Sequence, residues 1–492
     1  MRLYDICRGA NIECPEHLKD AEIEGITSDS RKVKRNYLFF CLSGTRDDGH
    51  RYIESAVAKG ACAVVIENEK YVCERSLSVE STRASLARAM NVFCGEPTKK
   101  LKFIGITGTN GKTSVSVMIK NIFDTSKNTC EIIGTLNCSS FSEKTDDSTK
   151  NFTTPDPEEL YPMLQRISDA GIEWVIMEAS SHALKLHKLE PIEFEIGIFT
   201  NLTEDHLDFH SDMEDYFKSK FLLFDKCRLG IINVDSEYGK KIFDLAKCKV
   251  KACSFSGSAD YIANDINYFG ERGTKYTLKT KSESLNVFCR VPASFSVMNS
   301  MQAIAAALEL RIDKNDIEQS FESFCGVSGR LEKAELPEGW GFAVFIDYAH
   351  TPDALEQLIK AARGLKKEGA RIILVFGCGG DREKEKRAKM GRIAADLADI
   401  TVVTNDNPRS EDPDKIIDDI LSGIDKSKEY AVIPNRKNAI GYAMAVASEG
   451  DVVLLAGKGH ENYEINARGR FHFDEREIIR AIVDKTKRRN EL

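Results

Sequence analysis

The segment Gly105-Ile-Thr-Gly-Thr-Asn-Gly-Lys-Thr-Ser114 combines closely spaced glycines with a lysine and several hydroxyl groups. It lies between an apolar run that predicts a buried strand and a run that predicts a helix. The backbone N–H groups of such a turn and the positive end of the helix bind phosphate oxygens. Lys112 has the reach to contact the β- and γ-phosphates of a nucleotide, and the Thr113 hydroxyl is a candidate Mg²⁺ ligand. Although Ile106 replaces the first glycine of the strict motif, we predict a nucleotide site at Gly108, Thr109, Asn110, Gly111, Lys112, Thr113 and Ser114.

Polar side chains follow most other predicted strands at their carboxyl ends. Glu178 follows the strand at 174–177, Asp347 follows the strand at 344–346, and a polar loop at 457–461 follows the strand at 452–455. Ligands of open parallel sheets bind beyond this edge of the sheet. The repeated arrangement therefore predicts one extended site built from several strand ends.

Glu178 and His206 are candidate metal ligands. Oxygen ligands suit Mg²⁺, whereas histidine is a less usual ligand for this ion. The alternative for each residue is a surface position or a satisfied polar group in the core. Lys220 lies on a predicted helix with three phenylalanines at helical spacing. Composition alone predicts that its stem covers the edge of this apolar stripe while its ammonium stays in water.

Charged residues in the last third of the chain suggest a further binding region. Arg330 either reaches a phosphate across a cleft or forms an interdomain salt bridge. The turn Asp406-Asn407-Pro408-Arg409 follows a strand, and Arg409 suits a bidentate pair with a carboxylate. A plain type I turn is the alternative. In the segment from Gly457 to Glu461, the acidic side chain is a candidate for binding a substrate ammonium.

The chain has 492 residues, a formal net charge of −8 and 14 cysteines without a CxxC pair. Its length suggests about three domains. The acidic charge argues against nucleic-acid binding, and no apolar run is long enough to cross a membrane. The scattered cysteines are typical of reduced thiols. We expect a cytoplasmic α/β protein with domains at residues 1–97, 98–329 and 330–492.

Taken together, the motifs resemble those of the Mur ligase family over essentially the whole chain. The strings that carry the resemblance are Thr27-Ser-Asp-Ser-Arg31, the phosphate loop, Thr153-Thr154-Pro-Asp156, Glu178-Ala-Ser-Ser-His182, Thr200-Asn-Leu202, Asp205-His-Leu-Asp208, Asp347 to Pro352, Gly377 to Arg382, Asp406 to Arg409 and Gly457 to Glu461. The resemblance implies an N-terminal UDP-binding domain, a central P-loop ATPase domain with a parallel sheet, and a C-terminal Rossmann-like domain for an amino acid. It is strongest with the member that adds the third residue of the peptide stem.

That resemblance also implies a reaction in peptidoglycan precursor synthesis. ATP phosphorylates the D-Glu carboxylate of UDP-MurNAc-L-Ala-D-Glu, and the amine of meso-diaminopimelate then attacks the acyl phosphate. The expected cofactors are ATP, Mg²⁺ and a CO₂-derived carbamate on Lys220, and a monomer is expected. By resemblance, the catalytic residues are Lys112, His206, Lys220 and Arg330.

The remaining site residues are also assigned by resemblance alone. Beyond the phosphate loop, the ATP contacts are Asn299, Arg330, Asp347 and His350. The metal ligands are Thr113, Glu178, His206 and Lys220. The contacts to the UDP substrate are Ser30, Thr153, Thr154, Ser180 and Lys188. The contacts to the amino acid are Arg382, Asp406, Asn407, Pro408, Arg409, Gly457 and Glu461.

Two residues depart from the family pattern. Leu186 replaces a glutamine, which removes a hydrogen-bonding group, and Lys188 replaces an arginine, which keeps the charge but loses the planar fork. The Asp406–Arg409 turn is the family's mark for diaminopimelate, with L-lysine as the alternative substrate. Two other functions are weighed. A folylpolyglutamate synthetase is disfavoured by the Thr27–Arg31 string and this turn, and a regulatory P-loop ATPase would need no amino-acid pocket.

Overall fold

The structure is a computed structural model that describes residues 1–44, 47–136 and 153–490. Three sheets made mainly of parallel strands follow one another along the chain, and a short hairpin follows the third sheet. The predicted α/β class is therefore confirmed. The predicted domain boundaries after residues 97 and 329 stay predictions.

The first sheet consists of four parallel strands in the order β1-β2-β3-β4. Its segment contains α1 (Leu3–Ala10), β1 (Gly25–Thr27), β2 (Tyr37–Phe40), α2 (Ile53–Ala58), β3 (Ala61–Ile66), β4 (Ser76–Ser78) and α3 (Thr82–Phe93). Helix α3 begins after Ser81, whose hydroxyl accepts a hydrogen bond from the N–H of Ala84 at 3.3 Å. This N-cap satisfies one of the free N–H groups at the start of the helix.

The second sheet has nine strands in the order β13-β12-β11-β10-β9-β8-β5-β7-β6. Its segment begins with β5 (Lys102–Thr107), α4 (Lys112–Thr125), β6 (Cys130–Ile133), α5 (Pro157–Asp169), β7 (Trp174–Glu178), α6 (Ser181–Lys185), β8 (Phe194–Phe199) and α7 (Met213–Phe221). It continues with β9 (Cys227–Asn233), α8 (Glu237–Leu245), β10 (Lys249–Ser254), β11 (Tyr261–Tyr268), β12 (Thr274–Lys279), β13 (Ser284–Cys289), α9 (Ser294–Glu309) and α10 (Lys314–Ser323).

The sequence predicts a small antiparallel insertion between Ser256 and Val291. Strands β11, β12 and β13 do pair antiparallel. However, β11 also pairs in parallel with β10, so these strands extend the central sheet and do not form a separate insertion. The alternation of polar and apolar residues predicts the antiparallel pairing among these three strands. It gives no information about which strand lies beside β11 at the edge of the stretch.

The third sheet has the order β14-β15-β19-β16-β17-β18, and all its strands except β14 are parallel. Its segment contains β14 (Glu332–Lys333), β15 (Ala343–Asp347), α11 (Pro352–Arg363), β16 (Ile372–Phe376), α12 (Glu385–Leu397), β17 (Ile400–Val403), α13 (Pro413–Leu421), β18 (Tyr430–Val432), α14 (Arg436–Val446), β19 (Val452–Ala456), β20 (Tyr463–Asn466), β21 (Gly469–His472) and α15 (Glu475–Asn490). Strands β20 and β21 form the hairpin.

Both faces of the central sheet are buried. Ile104 and Ile106 of β5 join a cluster that includes Val115 of α4. Phe103 of the same strand joins a second cluster that includes Leu86 of α3, so the N-terminal segment packs against this face. Strands covered on both faces have continuous apolar sequences, which explains why they are recognisable in the sequence. Among the helices of the described ranges, none is both long and apolar enough to span a bilayer.

Candidate active site

The phosphate loop joins β5 to α4 and depends on two glycines. Gly108 and Gly111 have φ values of 150° and 89°, in the region that favours glycine. A Cβ atom on Gly108 would lie 1.8 Å from Thr200 Oγ1, and one on Gly111 would lie 2.6 Å from Asn299 Oδ1. The loop therefore packs tightly against Thr200 and against Asn299, which is one of the ATP contacts assigned by resemblance.

The loop is also held by hydrogen bonds from the segment after β8. The N–H of Asn110 donates to Asn201 Oδ1 at 2.9 Å, and Thr200 Oγ1 donates to the carbonyl of Asn110 at 2.6 Å. Thr109 Oγ1 accepts a hydrogen bond from the N–H of Thr203 at 3.0 Å. These contacts fix the loop before any ligand binds. Ser114 lies just beyond it, in the first turn of α4.

Two lysines meet on one carbonyl oxygen of this loop. Lys112 Nζ donates to the Gly108 carbonyl at 2.9 Å, and Lys220 Nζ donates to the same oxygen at 2.8 Å. Lys220 is only 1% exposed, so the expectation of a lysine with its ammonium in water is wrong. Burial and the charge of Lys112 hold the pKa of Lys220 well below its usual range. Desolvation also lowers the pKa of Lys112.

A hydroxyl and a carboxylate lie together at the end of β7. Glu178 is fully buried, and its Oε2 accepts hydrogen bonds from Thr113 Oγ1 at 3.2 Å and Thr135 Oγ1 at 3.0 Å. Its Oε1 accepts from the N–H of Thr135 at 3.1 Å. Hydroxyl and carboxylate oxygens are the donors that Mg²⁺ prefers, so two predicted ligands, Thr113 and Glu178, fit this ion.

His206 lies on the loop after β8, in left-handed backbone conformation with φ 57°. Its ring makes an edge contact with Tyr216 at 6.1 Å between centroids, and Lys220 Nζ lies 4.5 Å from the same Tyr216 ring. Desolvation lowers the pKa of His206 to about 3, although 44% of its side chain is exposed. This shift favours the neutral imidazole, which is the form that binds a metal. The described residues contain no cluster of three or more His, Cys, Asp or Glu side chains arranged around one metal position. The predicted set is instead a mixture of hydroxyl, carboxylate, imidazole and lysine groups.

Residues of the C-terminal segment approach the loop from the other side. Arg330 Nη2 lies 3.4 Å from Thr113 Oγ1, and its guanidinium lies 4.6 Å from the centre of the Tyr348 ring. Asp347 accepts hydrogen bonds from the N–H groups of Leu331 and Ala349 at 2.6 and 2.8 Å. Arg330 therefore lies beside the first turn of α4, and its contact with a phosphate stays a prediction.

Burial shifts the pKa values of His350 and Asp347 in opposite directions. His350 Nδ1 lies 2.8 Å from the Tyr348 carbonyl, and burial lowers the pKa of His350 to about 4. Burial raises the pKa of Asp347. Both predicted ATP contacts are half-buried, one at the end of β15 and one on the loop that follows it.

Predicted contacts to the UDP substrate lie at two positions. Thr154 Oγ1 donates to the Glu178 carbonyl at 2.7 Å and lies 3.1 Å from Ser180 Oγ, while Thr153 Oγ1 lies 3.2 Å from Thr135 Oγ1. These three predicted residues are thus close to Glu178, one of the predicted metal ligands.

Lys188 lies further away, in a cavity of about 200 Å³ between the N-terminal and central segments. Its Nζ forms an ion pair with Asp156 at 2.7 Å. The cavity is lined by Ser28, Asp29, Lys32, Leu42, Arg83, Leu86, Asp156, Pro157, Glu158, Leu186 and Lys188. Ser30 is near this cavity in sequence but is not among its lining residues. Sequence reasoning missed Arg83 and Glu158, because both lie on helices and no strand-end pattern marks them.

Predicted amino-acid contacts come together beyond β17 and β19. Asn407 Nδ2 donates to Glu461 Oε2 at 2.7 Å. Gly457 has φ 114°, and a Cβ atom there would lie 2.6 Å from Asp406 Oδ2. That oxygen is buried and has no hydrogen-bond partner in the described residues. The two strand ends therefore approach closely only because residue 457 is a glycine.

Arg409 and Arg382 bring positive charge to the same region. Arg409 Nη1 donates to the carbonyl of Gly380 at 2.7 Å, and a Cβ atom on Gly380 would lie 2.0 Å from the carbonyl oxygen of Pro408. Burial and the charge of Arg382 lower the pKa of Arg409. Two neighbouring guanidinium groups favour an anionic ligand such as a carboxylate.

Three protein families match successive parts of the chain. Residues 22–94 match "Mur ligase family, catalytic domain", residues 106–307 match "Mur ligase middle domain", and residues 329–459 match "Mur ligase, glutamate ligase domain". A Clostridioides difficile protein named UDP-N-acetylmuramoyl-L-alanyl-D-glutamate–2,6-diaminopimelate ligase is 41% identical over 491 residues, covering 99% of this chain and 100% of the relative. A Nostoc protein with the same name is 40% identical over 486 residues, covering 95% and 96%.

Solved structures agree with these matches over nearly the whole chain. A structure of a UDP-N-acetylmuramoyl-L-alanyl-D-glutamate–2,6-diaminopimelate ligase superposes with a TM-score of 0.69 at 29% identity, covering 99% of this chain and 100% of the other. The MurF ligase of Thermotoga maritima, solved with ADP, has a TM-score of 0.61 at 17% identity, covering 94% and 97%. At this identity, the similarity to the MurF ligase shows only a shared fold. Because the first relative matches from end to end, and the phosphate loop and strand-end residues meet as the motifs predict, this chain belongs to the Mur ligase family.

Proposed function

We propose that this protein is an ATP-dependent amide ligase that adds meso-diaminopimelate to UDP-MurNAc-L-Ala-D-Glu in peptidoglycan precursor synthesis. Full-length relatives are named for this activity. One observation carries the proposal: Lys112 and Lys220 meet on the Gly108 carbonyl, while Thr113 bonds to Glu178 beside them. A centre with the cationic Lys112, a second lysine, a hydroxyl and a carboxylate suits phosphoryl transfer.

The chemistry requires an activated carboxylate. A carboxylate and an amine do not condense readily, because the carboxylate oxygen is a poor leaving group. Transfer of the γ-phosphoryl group of ATP to the D-Glu carboxylate gives an acyl phosphate. The diaminopimelate amine then attacks the acyl carbon, the C–N bond forms, and inorganic phosphate leaves with the C–O bond electrons. The amine loses its proton in this step.

The first step brings two anions together, so positive charge must lie between or around them. Lys112 is held at the phosphate loop, and Arg330 approaches the same Thr113 hydroxyl from the C-terminal segment. Bound Mg²⁺ supplies further positive charge for phosphoryl transfer. Thr113, Glu178 and the neutral imidazole of His206 would hold it.

Lys220 is proposed to carry a carbamate. Its lowered pKa favours the neutral amine, which is the form that attacks CO₂. An N–C bond forms, a proton is released, and the product is an anion able to hold a metal ion. The carbamate would also replace repulsion between Lys220 and Lys112 by attraction.

Diaminopimelate is favoured over L-lysine by the paired guanidinium groups. Its second carboxylate suits Arg409, with Arg382 nearby, while its ammonium suits Glu461. L-Lysine offers no second carboxylate, and its ε-ammonium would be repelled by Arg409. The alternative of a lysine-adding enzyme is therefore second to diaminopimelate.

The three segments are proposed to divide the substrates between them. Residues 1–97 would bind the UDP portion, residues 98–329 would bind ATP, and residues 330–492 would bind the amino acid. Lys188, paired with Asp156, would replace the usual arginine in holding the nucleotide substrate. Because the substrates are ATP and a nucleotide-linked precursor, and all the predicted contacts come from one chain, we propose a monomer that acts in the cytoplasm.

Phosphate release from ATP tests this function. The purified protein is incubated with Mg²⁺, ATP and UDP-MurNAc-L-Ala-D-Glu, and with meso-diaminopimelate, L-lysine or no amine. Release only with diaminopimelate supports the proposal. Release with lysine alone keeps the ligase and contradicts the amino-acid assignment. Equal release with and without an amine contradicts the ligase and favours a regulatory ATPase.

A further inference from the structure

Lys458 lies behind the amino-acid end of the site, on the loop that follows β19. Its side chain has no exposed surface. Its Nζ donates hydrogen bonds to Asn407 Oδ1 at 3.0 Å and to the main-chain carbonyl of Tyr463 at 2.8 Å, and it lies 5.3 Å from the centre of the Phe473 ring. Because it is buried and bonded inside the protein, Lys458 offers no surface to a ligand.

The partners of Lys458 lead to Glu461, the predicted ligand for a substrate ammonium. Asn407 Oδ1 also accepts from the N–H of Ile465 at 2.9 Å, so its amide oxygen receives two donors. This fixes the amide nitrogen of Asn407 toward Glu461 Oε2, to which it donates at 2.7 Å. The hydroxyl of Tyr463 donates to Glu461 Oε1 at 3.2 Å. A closed ring of Lys458, Asn407, Glu461 and Tyr463 therefore holds both carboxylate oxygens of Glu461.

The ring also supplies charge. Lys458 Nζ lies 3.9 Å from Glu461 Oε2, whereas Asp406 places a second carboxylate in the same buried region. Burial and the charge of Asp406 raise the pKa of Glu461, while the Lys458 ammonium and the hydrogen bonds from Asn407 and Tyr463 oppose this change. A carboxylate that binds an ammonium has to stay ionised, and the Lys458 ammonium favours the ionised form of Glu461.

We propose that Lys458 and Tyr463 are positioning residues that hold Glu461 as an oriented carboxylate for the ammonium of the amino-acid substrate. The inference rests on the proposed function and deepens it, because it extends substrate selection to residues that act through Glu461. The motif that contains Lys458 is known from the sequence only as a glycine-rich loop. Its lysine gains this role through contacts with residues 51 and 5 positions away along the chain.

Removing the Lys458 charge has a predictable effect on pH dependence. The charged and titratable groups that face Glu461 are Tyr348, Asp406, Arg409, Arg436, Lys458 and Tyr463. Substitution of Lys458 by methionine removes one cation from this set and leaves Asp406 in place. The pKa of Glu461 then rises further, so Glu461 is protonated at a higher pH. The acidic limb of the kcat/KM profile for diaminopimelate should move to higher pH.

The experiment compares K458M and Y463F with the unmodified enzyme and with K415M, which removes an exposed lysine on α13 of the same sheet segment. Phosphate release is measured against meso-diaminopimelate and ATP concentration over a range of pH. We expect K458M to raise the KM for diaminopimelate by about 10- to 100-fold, as for a lost hydrogen bond to a charged group. Y463F should raise it by about 10-fold, at the lower end of the same range, because its 3.2 Å hydrogen bond to the Glu461 carboxylate is long. The KM for ATP should stay within about twofold in both.

The pH profile separates positioning from a merely structural role, since K458M should shift the acidic limb while K415M should not. Kinetics of K458M that match those of K415M overturn the inference, as does an equal rise in the KM for ATP and diaminopimelate. If K458M lacks a cooperative melting transition, Y463F decides, because it removes only one hydroxyl group. No diaminopimelate-dependent release by the unmodified enzyme contradicts the proposed function. If phosphate release by K458M and Y463F depends on diaminopimelate as it does in the unmodified enzyme, only the role of Lys458 and Tyr463 is contradicted.

Discussion

Replacing Arg409 by alanine tests how the enzyme selects its amino acid. Arg409 ends the 406–409 turn with φ 53°, and its Nη1 donates to the Gly380 carbonyl at 2.7 Å and lies 3.5 Å from the Asn407 carbonyl. Burial and the nearby charge of Arg382 lower its pKa. The guanidinium is thus a partly dehydrated cation beside another cation, and it gains from an anionic partner.

The magnitude follows from the substrate carboxylate that the R409A variant would leave unpaired. Truncating one partner of a buried, hydrogen-bonded charge pair costs about 2–5 kcal/mol. This corresponds to a loss of about 30-fold to several-thousand-fold in kcat/KM for meso-diaminopimelate. L-Lysine lacks that carboxylate, so its kcat/KM should stay constant or rise. In the described part of the chain, the hydrogen bonds of the Arg409 side chain end on main-chain carbonyls, so the free energy of unfolding should fall by only about 1 kcal/mol.

The assay is amine-dependent phosphate release with diaminopimelate or L-lysine, repeated over a range of ATP concentrations. R409K keeps the charge without the planar fork and should give an intermediate loss. R480A removes an exposed arginine on α15 and serves as the matched control. The reasoning is refuted if R409A raises the KM for ATP as much as the KM for diaminopimelate, or if it lowers the use of lysine equally.

Two further substitutions test the buried charges. K220A should abolish phosphate release, because no carbamate can form, and added acetate should restore part of it. K218A, at an exposed position on the same helix, should stay active, and a fully active K220A without added carboxylate would contradict the carbamate. R436L should lower the free energy of unfolding by about 3–5 kcal/mol, since Arg436 and Glu475 form a fully buried ion pair at 2.9 Å. Urea denaturation should show this loss. The exposed Arg363→Leu variant is the control, and its free energy of unfolding should stay within about 0.5 kcal/mol of the unmodified protein. Equal denaturation midpoints for the two variants would refute the prediction.

Much of the fold is predictable because the buried strands have distinctive sequences. The strand predicted at 344–346 is β15, which ends at Asp347, and the strand predicted at 174–177 is β7, which ends at Glu178. Parallel strands covered on both faces are continuously apolar, so their ends coincide with the first polar residue. The neighbours of a strand are set by contacts distant in sequence, which is why the pairing of β11 with β10 was not predicted.

The site shows the same division between local and distant information. Gly108 and Gly111 are identified from spacing alone, because a tight turn before a helix needs these conformations. The burial of Lys220 depends on the Gly108 carbonyl, 112 positions earlier, and helical spacing gives no sign of it. Lys458 was missed for a similar reason, since a lysine between two glycines is typical of an exposed loop.

Like charges lie close together at both ends of the site. Lys220 lies beside Lys112, and Arg409 lies beside Arg382, and in each pair burial and repulsion lower a pKa. Such arrangements destabilise a folded protein unless an anion accompanies them. In our proposal the two ends meet this requirement differently: Lys220 becomes an anion by reaction with CO₂, whereas Arg409 receives the carboxylate of its substrate. The carbamate on Lys220 would be a permanent anion, which suits a metal site that is used in every turnover. The carboxylate beside Arg409 would come with the substrate, so the stability of that complex would depend on the correct amino acid.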